Sequence, residues 1–195
     1  TDVAVLDGGR PRLDPEGATV GGYRTMVEAV AMRTFGLGGD SEVALEEGGL
    51  EPKLILGPRR ILPLALAAAA HPSVLMVLEK QAKSDVLDRL EGRFAFRTGL
   101  DDRFAAGLSA SEQALYERLT PEPKPLSGLI TAASQMTALA RLVTRGLAMM
   151  SGYTPTDAQH VLGRQATGNA DAARLGATLF ARKRDGRGRA IAAAA

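Results

Sequence analysis

Apolar and polar residues alternate with a period of two over much of the first sixty positions, which is typical of β-strands. An apolar run over 3–6 ends at Asp7-Gly8-Gly9, a sequence that favours a tight turn. Residues 23–35 carry apolar side chains on both alternating faces and therefore predict one long strand buried on each side. A hairpin is predicted over 42–56, with its turn at 46–49.

After position 60 the apolar residues recur with the period of about 3.6 that is expected of helices. Helices are predicted over 72–90, 109–119, 126–133, 137–145 and 154–163 and after Asn169. Ser109 and Glu112 have the spacing of a capping box, and Thr154-Pro155-Thr156-Asp157 has the residues of a helix start. Short strands are predicted over 93–97 and 147–153, so the pattern as a whole indicates an α/β fold.

Composition narrows the class of protein. The chain has 195 residues, of which 45% are apolar and 24% charged, and this is typical of one folded domain or two small ones. The absence of cysteine excludes disulfides and thiolate metal sites. The longest apolar stretch, 61–70, is much shorter than the ~20 residues that span a bilayer. These features predict no membrane partner and fit a cytoplasmic enzyme.

Basic residues are concentrated near the end of the chain, at Arg182, Lys183, Arg184, Arg187 and Arg189. We interpret this run as a solvated basic tail, which is the commoner role of such runs. The net charge is only +2, so the sequence predicts no nucleic-acid partner.

Two groups of residues are candidates for chemistry. The glycine-rich segment 36–41 is either a structural turn or a loop whose backbone N–H groups hold an anion. Asp157 and His160 lie three residues apart on one predicted helical face and could bind one metal ion or one water. The alternative for this pair is structural, with Asp157 capping its helix and His160 partly buried.

Several segments together resemble the middle of proteins of the hydantoinase/oxoprolinase family. Thr1-Asp2 matches the last Thr and Asp of that family's central phosphate loop, and a similar strand follows over 3–6. Val20-Gly21-Gly22-Tyr23 and the segment 33–41 follow in the family's order, with Gly38-Gly39-Asp40-Ser41 where the family usually has Gly-Gly-Gly-Ser. The sequence over 156–163 is similar to the family's Thr-Asp-Ala-x-x-x-Leu-Gly helix.

The resemblance implies the ribonuclease H-like fold of actin-like ATPases and an ATP-dependent hydrolase that opens a lactam or hydantoin ring. In such enzymes ATP, with Mg²⁺, phosphorylates the amide oxygen and so makes the carbonyl open to attack by water. By matching position, the resemblance implies sets of catalytic, cofactor-binding and metal-binding residues. The catalytic set is Asp157, Asp40 and His160. The cofactor-binding set is Thr1, Asp2, Gly38, Gly39 and Ser41, and the metal ligands are Asp2 and Asp157.

The resemblance also implies a division of the chain. Residues 1–66 and 154–195 are expected to be parts of a ribonuclease H-like lobe, and 67–153 a mainly helical insert. Within the insert, the predicted elements over 109–153 follow the order of a winged helix, with Arg141 and Arg145 on its third helix. Two alternatives therefore stay open beside the enzyme: a winged-helix binding module and a structural subunit of a multi-subunit hydrolase or carboxylase.

The family's amino-terminal phosphate loop and the glycines of its central one have no counterpart in this sequence. We therefore expect an internal fragment that is inactive by itself. Its expected partners are the cyclic-amide substrate, the remainder of its own chain and a second subunit.

Overall fold

The protein is described here by a computed structural model that covers residues 2–17, 19–20, 23–24, 27–34, 37–46, 53–85 and 88–194. The chain divides into two compact units, Thr1–Gly38 and Gly39–Ala195. The first contains only β-strands among its described residues, and the second is mixed α/β.

Short antiparallel strands make up the first unit. They are β1 (Asp2–Ala4), β2 (Leu6–Asp7), β3 (Arg10–Pro11), β4 (Leu13–Asp14), β5 (Thr19–Val20), β6 (Tyr23–Arg24), β7 (Ala29–Val30) and β8 (Met32–Thr34). They pair as β1–β8, β2–β3, β4–β7 and β5–β6. The predicted turn at Asp7-Gly8-Gly9 is confirmed, since Gly8 and Gly9 join β2 to β3 with φ of 55° and 79°, a region that glycine adopts without strain.

The prediction of one long buried strand over 23–35 is wrong for the described residues. The segment is divided among β6, β7 and β8, with a bend at Val27. The side chains of Val27, Val30 and Met32 are 68%, 37% and 54% exposed. Alternation in sequence reports which side chains share a face of a strand, and it cannot report whether a second layer covers that face. Residues 25, 26 and 35 of this prediction lie outside the described part of the chain.

A hairpin opens the second unit, as predicted, although residues 47–49 of its predicted turn lie outside the described residues. Strands β9 (Ser41–Leu45) and β10 (Leu54–Arg60) pair in antiparallel register, with Leu45 opposite Leu54. A four-stranded sheet follows in the order β11, β14, β12, β13, formed by Leu62–Pro63, Ala148–Gly152, Phe94–Arg97 and Lys124–Pro125 respectively. β11 runs parallel to β14, and the other two pairings are antiparallel.

Seven α-helices lie among the described residues of this unit. They are α1 (Leu64–Ala70), α2 (Pro72–Lys83), α3 (Ala110–Arg118), α4 (Leu126–Leu129), α5 (Ala133–Thr144), α6 (Pro155–Val161) and α7 (Ala170–Ala194), with a 3₁₀ turn at Asp102–Ala105. α2 ends at Lys83 rather than at the predicted residue 90. The predicted capping box at Ser109 with Glu112 is confirmed. The predicted helix start at Thr154 is confirmed as well, and there Thr154 and Asp157 also form a capping box.

Neighbouring residues of β12 point into two different apolar cores. Phe94 packs with residues of α1, α2 and α7, whereas Ala95 packs with residues of α3, α4 and α5. Because successive side chains of a strand point to opposite faces, the sheet separates these two cores. The fully buried residues of the first core include Leu64, Val74, Leu78, Ala172 and Leu179, and those of the second include Leu126, Leu139 and Leu142.

The chain is therefore mixed α/β, as predicted, with small sheets and α-helices. The ribonuclease H-like identity and the division into 1–66 with 154–195 around an insert stay predictions. In the segment 109–153, β13 and β14 both pair with β12, which lies outside that segment, so the predicted winged-helix order has no hairpin of its own there. None of the described helices is both long enough and apolar enough to cross a membrane.

Candidate functional site

Gly39, in the glycine-rich segment, and Thr156, at the start of α6, are in direct contact although they are 117 positions apart in sequence. The backbone N–H of Thr156 donates to the carbonyl of Gly39 over 2.9 Å. A methyl group at Gly39 would lie only 2.6 Å from Thr156 Oγ1, so this position requires the smallest residue for close approach. The structure thus brings together two of the segments that the sequence singled out.

Asp40 is held by an arginine. Its Oδ2 accepts from Arg60 Nε and lies 2.7 Å from Arg60 Nη2, while its backbone carbonyl accepts from Ile61 N. Ser41 begins β9 opposite Arg60 and is buried. The charge of Asp40 is therefore balanced within the hairpin, which supports a structural role for the loop.

Asp157 is completely buried, and its carboxylate joins two helices. Oδ1 accepts from Ala65 N at 2.7 Å. Oδ2 accepts from Leu64 N at 3.2 Å and from the N and Oγ1 of Thr154 at 2.9 and 2.8 Å. The donors at Leu64 and Ala65 are the first N–H groups of α1, whose own N-cap, Pro63, makes no side-chain cap.

Burial raises the pKa of Asp157 above its usual value, and the hydrogen bonds from Ala65, Thr154 and Leu64 oppose that rise. Oδ2 accepts from three donors and Oδ1 from one, so the described contacts of the carboxylate are those of a cap for two helix starts. The described geometry favours the capping interpretation of Asp157 over the metal-binding one.

His160 is buried on the same helix. Its Nδ1 lies 2.8 Å from the carbonyl oxygen of Thr156, and because a carbonyl only accepts, Nδ1 is the donor. In the neutral ring this leaves Nε2 as an acceptor, and Nε2 is buried without a hydrogen-bond partner among the described residues. No described contact joins the imidazole ring of His160 to the carboxylate of Asp157.

The prediction of a magnesium site concerns Asp2 and Asp157. Within the described ranges, no three His, Asp or Glu side chains form a group that could hold a metal ion. Asp2 belongs to the first unit and Asp157 to the second, and Thr1 lies outside the described residues. Gly38 is the last residue of the first unit. The predicted roles of Thr1, Asp2 and Gly38 towards ATP stay predictions.

A cavity of about 430 Å³ lies in the second unit, at a place where the sequence patterns had predicted no site. Its apolar lining comes from both β-strands of the hairpin, from α5, from α7 and from the residues that follow β10 and β14. These residues include Val43, Ile55, Ile61, Met136, Tyr153 and Phe180. The rings of Tyr153 and Phe180 stack with centroids 5.7 Å apart. The size and mixed lining are those of a site for a small molecule.

One buried carboxylate holds two arginines at this cavity. Glu42 forms an ion pair with Arg59 at 3.4 Å and a second, closer one with Arg93. A guanidinium carries five N–H donors, so a contact with Glu42 leaves each arginine able to bind a further anion. The lining also contains Arg89 and Lys183, so basic side chains outnumber acidic ones there by four to one.

Lys183 lies in this lining, and its ammonium group donates to the carbonyl of Glu91 over 2.8 Å. Burial, followed by the positive charge of Arg93, lowers its pKa to about 8. Arg182 donates to the carbonyls of Gln81, Ala82 and Ser84, where α2 ends. The interpretation of the basic run as a solvated tail is therefore wrong for Arg182 and Lys183.

The arginines of the predicted third helix are engaged within the protein. Arg141 forms an ion pair with Glu112 at 3.2 Å. Arg145 donates to the carbonyls of Phe104 and Ala106. These contacts fasten α5 to its neighbours, and they favour a packing role for the segment over recognition of phosphates.

Comparison with family models, curated proteins and solved structures gives no match to this chain. The resemblance to a known family therefore rests on the sequence motifs alone.

Proposed function

We propose that this chain is part of an ATP-dependent hydrolase of cyclic amides, of the hydantoinase/oxoprolinase type. The contact between Gly39 and Thr156 carries the proposal, because it joins two motif segments that the resemblance had selected independently. A chance similarity would not require such segments to meet in the fold.

Within this function, the second unit contributes groups that hold a substrate rather than groups that hold a nucleotide. Asp157 is occupied as a cap for α1 and α6, whereas the cavity presents cationic and aromatic side chains. The residues that hold ATP are expected in the remainder of the full-length chain.

The activity is tested on the intact protein by following release of ADP and of the ring-opened product. ADP release should depend on a cyclic amide, with 5-oxoproline and hydantoin as the two substrates to compare. ADP release at the same rate with and without either cyclic amide, and no opened ring, would contradict the proposal.

The contact at Gly39 is tested by a pair of substitutions. Gly39→Ala places a methyl group against Thr156 Oγ1 and is expected to lower turnover at least tenfold, since small displacements of positioning elements have effects of this size. Removing the hydroxyl with Thr156→Ala in the same chain should restore most of the activity. Gly128→Ala is the control, because a methyl group there meets no atom within 4 Å.

A further inference from the structure

The cavity beside the hairpin combines features that a site for an organic anion requires. Four basic side chains line it, and Glu42 is the acidic one among the described lining residues. With Lys183 protonated the lining carries a net charge of +3. Such an excess of one sign on partly buried walls favours a ligand of the opposite sign.

Arg59, Arg93 and Lys183 are held in position by other groups of the protein. Glu42 is buried and pairs with Arg59 on β10 and with Arg93 before β12. Lys183 is held by the carbonyl of Glu91. Donors that are already oriented lose little conformational entropy when an anion binds, and this raises affinity.

The walls favour an anion that also has an apolar body. On α7, Gly176, Phe180 and Lys183 are spaced by four and three residues and so share one face of the helix, and all three line the cavity. Lys183 Nζ lies 6.0 Å from the centre of the Phe180 ring, which stacks on Tyr153. Inorganic phosphate would satisfy the cations but leave this aromatic wall without a partner.

We infer that the cavity binds a small cyclic organic acid, with its carboxylate held by Arg59, Arg93 and Lys183 and its ring packed against Phe180. In the context of the proposed function, this selects cyclic amides that carry a carboxylate over neutral ones. That the ring of the ligand is a cyclic amide rests on the proposed function. That the ligand carries a carboxylate rests on the cavity alone.

The pH dependence of binding follows from the groups around Lys183. Arg93 disfavours its charge, while Glu91, Asp88 and Glu42 favour it. Because the arginines stay charged, Lys183 is the cation whose loss of a proton weakens binding as the pH rises through about 8.

Calorimetric titration of the 195-residue chain tests the inference. The probes are 5-oxoproline, 2-pyrrolidinone, which has the same lactam ring without the carboxylate, and inorganic phosphate. 5-Oxoproline should bind at least tenfold more tightly than either of the others. Equal affinity for 2-pyrrolidinone, tighter binding of phosphate, or no binding of 5-oxoproline would each overturn the inference.

Substitutions of lining residues test whether the ligand binds in the cavity. Lys183→Met keeps the length of the side chain but removes its charge, and it should weaken binding of 5-oxoproline at least tenfold and abolish the loss of affinity between pH 7 and 9.5. Lys80→Met is the matched control, since Lys80 is exposed on α2 and outside the cavity lining.

Arg59→Gln is a second variant, at a half-exposed position, and it should also weaken binding. Unchanged affinity in both cavity variants would overturn the inference. Circular dichroism of each variant shows whether it is folded.

The outcomes separate this inference from the proposed function. Binding of 5-oxoproline that depends on Lys183, without any ATP-dependent ring opening by the intact protein, would overturn the function and support the cavity site. Ring opening that Lys183→Met leaves unchanged would support the function and overturn the cavity site.

Discussion

The two units of this chain contain similar apolar residues, but among the described residues only the second unit buries them in a core. In the first unit, Val5 and Leu6 are 63% and 62% exposed on strands of two or three residues and the links between them. In the second, Leu64 and Leu78 are fully buried between a sheet and helices. Two-stranded ladders are marginal by themselves, whereas a sheet covered by helices forms a stable core. Apolar residues therefore stabilise a fold only where a second layer covers them.

The largest expected effect is a direct test of this difference with one substitution in each unit. Leu64→Ala should lower the free energy of unfolding by about 2–5 kcal/mol, because it leaves a cavity where α1 packs on α7. Leu6→Ala should change it by less than about 0.5 kcal/mol, as expected for an exposed side chain. Urea denaturation of both variants measures the two values. A loss of several kcal/mol from Leu6→Ala would contradict the comparison, since it would show that Leu6 is covered in solution.

The same difference explains which parts of the fold could be predicted. The capping box at Ser109, the helix start at Thr154 and the turn at Gly8-Gly9 depend on residues within four positions of each other, and the sequence predicted all three. Burial of 23–35 depends on a covering layer that no local pattern encodes. The predicted strand was therefore wrong in extent and in burial.

The candidate site shows the same limit. The sequence identified Asp157 as a helix cap or a cleft residue, but its contact with Leu64 and Ala65 spans more than ninety positions. The cavity residues Glu42, Arg93 and Lys183 are also far apart in sequence. Only Lys183 had a local indication of its role, because it lies seven residues after Gly176 on the same helical face. A glycine, an aromatic residue and a cation at that spacing could have been recognised, although their partners could not.

The two units can also be compared by removing one buried and one exposed carboxylate, with a smaller expected effect on stability. Asp157→Ala leaves the N–H groups of Leu64 and Ala65 buried without an acceptor, and we expect a loss of about 3 kcal/mol. Asp157→Asn turns one oxygen into a donor that faces other donors, so it should also destabilise the protein, by about 1–2 kcal/mol.

The control is in the first unit, where Asp14 accepts from Glu16 N in an exposed turn. Asp14→Ala should cost about 0.5 kcal/mol or less. Thermal and urea unfolding of the three variants provide the measurement. If Asp157→Asn kept full stability but lost activity in the intact enzyme, the metal-binding interpretation of Asp157 would replace the capping one.

The last comparison concerns a partly buried cation, Lys183, whose removal is expected to have the opposite effect on stability. Lys183 has a folded-state pKa of about 8, below the usual value of 10.5. Below about pH 8 both the folded and the unfolded chain hold the proton, and the folded state carries the full cost of a charge removed from water. Between pH 8 and 10.5 the unfolded chain binds more protons than the folded one, so the stability contributed by this group rises with pH.

Lys183→Met removes that cost, and at pH 7 it should stabilise the chain by about 2 kcal/mol after the hydrogen bond to Glu91 is lost. The advantage of the variant over the wild type should shrink as the pH rises from 8 to 10. Arg10→Met, at an exposed position of the first unit, should show neither the gain nor its pH dependence. Urea titrations at pH 7, 8, 9 and 10 measure all three chains. A variant that is less stable than the wild type at pH 7 would mean that Lys183 stabilises the fold through its charge, and the buried cation would then be part of the core rather than a group held ready for an anion.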